Sequence, residues 1–225
     1  MIKKINIAID GPAASGKSAA AASLAKKIDY DYMDTGIMYR SFTDYCLKKQ
    51  IPLDNEDLII QALALFEMAW VNGHFLFNGQ PIVDEIYSAN VTKNVPKIAA
   101  LPEVRKIIVK QIQDIVKTQG FIVVGRDIAS VVLPDAQLKI FLTSSLHARS
   151  IRRYKQYIKE GINIKQEQVY EDMLLRDNTD KNRSTGQLII VEDAKVLDNS
   201  EYDLQVTVAK LTSLYHNYFS HNKSK

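Results

Sequence analysis

An α/β fold, a five-stranded parallel sheet flanked by helices, is predicted for this 225-residue chain by three observations. Short apolar runs at 5–9, 121–124 and 138–142 suit strands buried on both faces, and extended segments at 30–33 and 195–197 bring the strands to five. Helical stretches lie between successive runs, the alternation that builds a parallel sheet covered on both sides. The first run ends at Asp10, Gly11 and Pro12, where a buried strand passes into a glycine-bearing loop.

The elements follow in order. Residues 17–28 form a helix by propensity alone, with four consecutive alanines from Ala19 to Ala22. After the second strand, 36–49 is a second helix. Between 51 and 94 the character changes: a helical piece at 58–68 gives way to a segment with Asn72-Gly73 and Asn78-Gly79, the strongest short-range hairpin signals. A small antiparallel sheet apart from the parallel core is expected there, with Trp70, Phe75 and Phe77 filling its core. Residues 102–117 form an amphipathic helix whose apolar stripe is Val104, Ile107, Ile108, Ile112, Ile115 and Val116. Two charged helices, 145–160 and 166–181, are separated by Gly161. The last strand at 195–197 is followed by a helix at 203–219 and a tail expected to fray.

Composition narrows the function classes. Apolar residues make up 46% and charged residues 24%, the profile of a soluble globular protein. The net charge of +3 suits polyanionic small ligands and is too weak for a nucleic-acid footprint. A single cysteine, Cys46, excludes an intrachain disulfide and reads as a packing residue. The four histidines share no metal-ligand spacing. No signal peptide and no membrane span are read, so the expectation is a cytoplasmic protein without a membrane or nucleic-acid partner. The absence of an exposed apolar seam suggests a monomer.

Residues 11–18 read GPAASGKS and satisfy G-x-x-x-x-G-K-[ST] between a buried strand and a helix, the context such a loop requires. Gly11, Pro12, Ala13, Ala14, Ser15 and Gly16 would curl the backbone so that successive N–H groups point at phosphate oxygens, beside the positive end of the helix. Lys17 would reach the β and γ phosphates and the Ser18 hydroxyl would ligate Mg²⁺. No Asn-Lys-x-Asp element follows for reading guanine, so ATP is the expected donor. The sheet is thus of the P-loop NTPase type.

Three further clusters bear on the acceptor. DTGIMYR (34–40) opens a helix and offers Thr35 and Arg40 to a second phosphate. Gly125, Arg126 and Asp127 stand just past a strand, at the edge where open α/β sheets bind ligands. Arg176, Asp180 and Arg183 are spaced i, i+4 and i+7, one helical face. Each cluster alone also fits a solvated turn or a salt-bridged helix.

With these motifs the sequence resembles the bacterial cytidylate kinases of the nucleoside monophosphate kinase family. IDGPAASGKS, DTGIMYR, AALPEVR (99–105), GRDIASVVLPDA (125–136), the Arg149, Arg152 and Arg153 cluster and RDNTDKNR (176–183) occur in matching order. The resemblance implies one nucleoside monophosphate kinase domain with a core (1–35, 102–148 and 166–225), an inserted monophosphate-binding lobe (36–101) of helices plus a small antiparallel sheet, and a short helical lid (149–165). It implies phosphorylation of CMP and dCMP by ATP with Mg²⁺ through direct in-line transfer. Thr35 and Arg40 would hold the acceptor phosphate, and Arg105 with Asp127 would read cytosine. Arg176 and Asp180 would contact ribose, while Arg126 and Arg183 approach phosphate. Arg149, Arg152 and Arg153 would serve the lid region, Arg149 and Arg153 on the ATP side, with Arg153 the phosphate contact. Pro96 and Val124 depart from the Ser and Asp that many relatives carry and bear on fine specificity.

Two alternatives stay open at this point. A uridylate-type or shikimate-type P-loop kinase is one, and the Arg105 and Asp127 pair argues against the latter, which has no base edge to read. A nucleotide-dependent binding protein is the other, and it would show no acceptor-dependent ADP production.

Overall fold

The computed structural model describes residues 4–222 apart from Asn72 and Val83, with side chains described as far as Ser220. Two compact units emerge. One comprises the chain up to Met33 together with the part from Gln119 onward; the other is Asp34–Thr118.

The first unit is built on a five-stranded sheet with the order β2-β6-β1-β7-β8. β1 (Ile7–Asp10) pairs in parallel with β6 (Phe121–Gly125) and β7 (Leu138–Thr143), and β8 (Lys195–Asp198) pairs in parallel with β7. β2 is Asp31–Asp34, and the observed strands lie within one or two residues of the predicted ones. After β1 the chain goes to the β2 and β6 side and then returns across β1 to β7 and β8. The loop after β1 therefore stands at the switch point where such sheets bind ligands.

In the three central strands, β6, β1 and β7, continuous apolar runs form strands because both faces are covered. Ile7, Ile9, Ile122, Val124, Ile140 and Leu142 form a core with Leu24 of α1 (Lys17–Ile28) and Leu211 of α8 (Leu204–Asn222). Val124 is a fully buried member of that core. Two more helices complete the unit, α6 (Leu146–Lys159) and α7 (Gln166–Asn182), packed on each other. Of the tail expected to fray after Phe219, residues 220–222 continue α8 instead, and the rest lies outside the described residues.

The second unit holds α2 (Thr35–Lys48), α3 (Glu56–Leu63), a three-stranded antiparallel sheet of β3 (Met68–Val71), β4 (His74–Phe77) and β5 (Gln80–Pro81), then α4 (Ala89–Ala100) and α5 (Pro102–Ile115). α3 stops earlier than the helix expected to reach 68, and Met68 opens β3 instead. Asn78 and Gly79 both have positive φ (44° and 74°), the two left-handed residues a tight hairpin requires, and they join β4 to β5. Asn72, of the other Asn-Gly pair, lies outside the described residues. Phe75 is buried beside Trp70, while Phe77 packs on Phe66 and Tyr45. Cys46 is fully buried in α2, and burial pushes its thiol up to about 12, out of nucleophile range.

α4 is absent from the sequence reading because Pro96 lies within it. Proline there removes the N–H that would bond to the carbonyl four residues back. The helix forms regardless. Ser88 caps it by accepting from Val91 N–H, and the buried Val91 and Ile98 supply a packing face on an element that lies against α2. α5 packs on α2, α3, α4 and β3, so this unit runs to Thr118, beyond the boundary expected at 101.

Candidate functional site

Residues 11–16 leave β1 and turn directly into α1. Gly11 sits so close to the neighbouring strand that an added Cβ would fall 2.1 Å from the Leu142 carbonyl oxygen. Gly16 precedes the helix with φ 82°, and Ala14 also has positive φ (57°), so the loop curls its amides inward. The Lys17 side chain is buried and its Nζ donates to the Pro12 carbonyl at 3.0 Å, folded back over the loop. Ser15 is fully buried, and its Oγ makes no hydrogen bond among the described residues. A curled backbone, a buried cation and a buried hydroxyl without a partner fit a phosphate group. Ser18, in the first turn of α1, supplies the hard oxygen that Mg²⁺ prefers. Among the described residues no group of three or more His, Cys, Asp and Glu could hold a metal on its own.

The loop is tied down by residues that sequence reading missed. Asn199, buried just past β8, donates from Nδ2 to the Ser15 carbonyl at 3.0 Å. Its Oδ1 accepts from Ser144 Oγ and from Arg152 Nη1. Arg152 also binds the Asn199, Ser200 and Tyr202 carbonyls, so its guanidinium holds the β8–α8 loop together. Arg149 donates from Nη1 to the Ala13 carbonyl at 3.2 Å and forms a two-pronged pair with Asp177. Arg153 lies farther out on α6, donating to Gln156 and stacking over Tyr157. No spacing rule marks Asn199 or Asp177, because both act through contacts distant in sequence.

At the C-terminal end of β6 the second cluster forms. Arg126 Nε donates to Asp180 Oδ2 at 2.7 Å. Arg183 lies 3.7 Å from Asp127 Oδ1 and 3.9 Å from Asp180 Oδ1, and donates to the Gly186 carbonyl. Asp180 titrates below the usual carboxylate range: burial opposes ionisation, but Arg126, Arg176 and Arg183 together outweigh it. The helix-face expectation for the last triplet needs one correction. Arg183 is the cap residue after α7 with extended backbone (φ −64°, ψ 150°), not part of the helical face. It reaches the cluster because the chain has left the helix.

Asp10, the last residue of β1, was passed over in the sequence. Its buried carboxylate accepts from Ile128 N–H at 2.7 Å and Ala129 N–H at 2.8 Å. Desolvation raises it to about 6, with Asp127 adding to the rise and the two amides and Lys17 opposing it.

Thr35, Arg40 and Arg105 belong to the other unit. Thr35 is buried at the first position of α2, after Asp34, which caps the helix by accepting from Gly36 N–H. Arg40 donates to Thr92 Oγ1 at 2.9 Å and to the Ile86 carbonyl, with its guanidinium over Tyr87. Arg105 is buried in the first turns of α5, facing the Ala99 carbonyl and the Tyr39 ring. A groove between α1 and α8, lined by Lys27, Ile28, Tyr215 and Phe219, lies at the end of α1 away from the phosphate loop.

Known proteins share this pattern. The cytidylate kinase family model matches residues 7–217. A cytidylate kinase of Mycoplasma capricolum is 38% identical over 216 residues, covering 96% of this chain and 97% of its own. One from Mesoplasma florum is 40% identical over 209 residues, covering 92% and 94%. Among solved structures, a shikimate kinase from Bacteroides thetaiotaomicron superposes with a TM-score of 0.52 at 8% identity, covering 94% of this chain and 98% of its own, a likeness of fold alone. A family model that spans nearly the whole chain, with relatives matched over more than nine-tenths of their length, leaves one assignment: the chain belongs to the cytidylate kinase family.

Proposed function

We propose that this enzyme transfers the γ-phosphoryl group of ATP, carried with Mg²⁺, to CMP and dCMP. The observation that carries the reading is the pairing, in one unit, of a curled loop holding a buried lysine with an arginine and aspartate cluster at the end of β6. The first suits the donor and the second the acceptor. Family membership supports the choice of cytidine nucleotides.

The chemistry needs no nucleophilic side chain. An oxygen of the CMP phosphate attacks the γ-phosphorus in line, the bond to the β–γ bridging oxygen breaks, and ADP leaves. Lys17 exchanges the Pro12 carbonyl for phosphate oxygens, and Arg126, Arg153 and Arg183 offset charge on the transferring group. The Ser18 hydroxyl would hold Mg²⁺, which would supply further positive charge beside the phosphates. Thr35 and Arg40 hold the acceptor phosphate, while Arg176 and Asp180 orient the ribose. Asp127 accepts from the cytosine amino group and Arg105 donates to its ring acceptors. Arg149, bound to the Ala13 carbonyl, acts on ATP through the shape of the loop. Residues 149–165 close as a lid and exclude water, which would otherwise take the phosphoryl group. The enzyme works as a monomer on the nucleotides of the cytoplasm.

A coupled ADP-release assay with CMP, dCMP, UMP, AMP and shikimate tests the reading. CMP and dCMP should lead, with CMP ahead of UMP by about 10² in kcat/KM. ADP release independent of any acceptor would overturn the proposal.

A further inference from the structure

The residue after Asp127 begins a five-residue π-helix, Ile128–Val132. Such turns are rare and gather at functional sites. An aspartate just before a helix would ordinarily cap it by accepting from the N–H groups of its first turn. Asp127 makes no such bond, and its backbone (φ −140°, ψ 32°) is not that of a side-chain cap. The first-turn amides go instead to Asp10, 118 residues earlier, whose two carboxylate oxygens take Ile128 N–H and Ala129 N–H separately. Asp127 meanwhile directs Oδ1 toward Arg183, on the phosphate side of the cluster.

We propose that Asp10 is a positioning residue for Asp127. By capping the helix in its place, Asp10 releases Asp127 from that task and holds its carboxylate toward the substrate. The inference rests on the reading of Asp127 as the residue that recognises cytosine. The position of Asp10 has a structural cost that favours a role in function. It is a buried carboxylate facing a second carboxylate, Asp127, with Lys17 as the opposing charge, and burial raises its pKa to about 6. A side chain present only to cap a helix could avoid that cost by being neutral.

The test uses kcat/KM for CMP and for UMP with wild type, Asp10→Asn, Asp127→Asn and the double variant. An amide accepts through one oxygen only, so Asp10→Asn leaves one first-turn N–H for Asp127 to cap. The CMP:UMP ratio should then narrow by about tenfold, and in the Asp127→Asn background Asp10→Asn should leave it unchanged within about twofold. If Asp127→Asn moves the ratio while Asp10→Asn lowers both nucleotides equally, the positioning role is wrong. If Asp127→Asn leaves the ratio alone, base reading by Asp127 fails and takes this inference with it.

Should Asp10→Asn fail to fold, wild type decides the matter through pH. The substrate phosphate titrates near 6 as well, but it is common to CMP and UMP and cancels from their ratio. The ratio should narrow as pH falls from 7.5 through about 6, where Asp10 takes up its proton. A ratio constant down to pH 5 would overturn the proposal.

Discussion

Arg149 and Asp177 form a buried two-pronged ion pair between α6 and α7, with contacts of 3.1 and 2.6 Å and side chains only 5% and 12% exposed. Two further donors of Arg149 go to the carbonyls of Ala13 and Ser144. The charge of Arg149 is therefore met within the protein, and what the phosphate loop receives from it is an N–H donor. Removing one partner strands the other. Asp177→Ala should destabilise the protein by about 3–5 kcal/mol, because an uncompensated guanidinium remains buried. Denaturant unfolding measures this, and a loss below about 1 kcal/mol would mean the pair is not the tie described.

Lys17 makes the opposite prediction. Its Nζ bonds to the Pro12 carbonyl within the loop, and the core beneath α1 is built from other residues. Lys17→Ala should keep the fold and cut turnover by about 10³-fold, the loss of one preorganised partner for charge developing in the transition state. Circular dichroism and steady-state kinetics together decide it. Turnover within tenfold of the parent would remove Lys17 from the mechanism.

What the sequence made legible divides along physical lines. The central strands and the phosphate loop were readable because each is fixed locally, by a run of apolar residues or by glycines at obligatory positions. α4 was not readable, since Pro96 argues against a helix and the Ser88 cap with packing by Val91 and Ile98 outweighs it. Asn199, Asp177 and Asp10 were missed for a related reason. Each acts on residues 28 to 184 positions away, and no periodicity carries that information. Arg183 joined its cluster for a reason other than the helical spacing that drew attention to it.

The aromatic cluster of the second unit gives a prediction about the acceptor. Phe66 is fully buried, with ring centroids 4.9 Å from Phe42 and 4.5 Å from Phe77, and it joins α2 to the small sheet. α2 carries Thr35 and Arg40. Phe66→Ala should cost about 3–5 kcal/mol in cavity formation, concentrated in this unit. Calorimetric titration should show CMP binding weakened by about tenfold or more and ATP binding nearly unchanged, given about 1.4 kcal/mol per decade. Equal losses for both nucleotides would contradict the reading of Thr35 and Arg40 as residues that hold the acceptor.

Asp10 makes the stability of the protein depend on pH in a direction opposite to that of most aspartates. Its pKa is about 6 in the folded protein against an ordinary 3.8, chiefly because burial strips water from the charged form. Below about pH 4 the group is protonated folded and unfolded, and it exerts no pull. Between about 4 and 6 the folded chain holds a proton that the unfolded chain has released, so each step up in pH favours unfolding. Above 6 the full cost is present, about 3 kcal/mol for a difference of this size. Asp10→Asn carries no such charge, and whatever it loses by accepting one amide in place of two does not vary with pH. The melting temperature of the variant minus that of wild type should thus rise by about 6–12 °C between pH 4 and pH 7, at about 2–4 °C per kcal/mol. Calorimetry across that range checks it. A difference that stays flat would show that Asp10 ionises in the folded protein as easily as in the unfolded chain, and that the carboxylate at the end of β1 bears no burial cost.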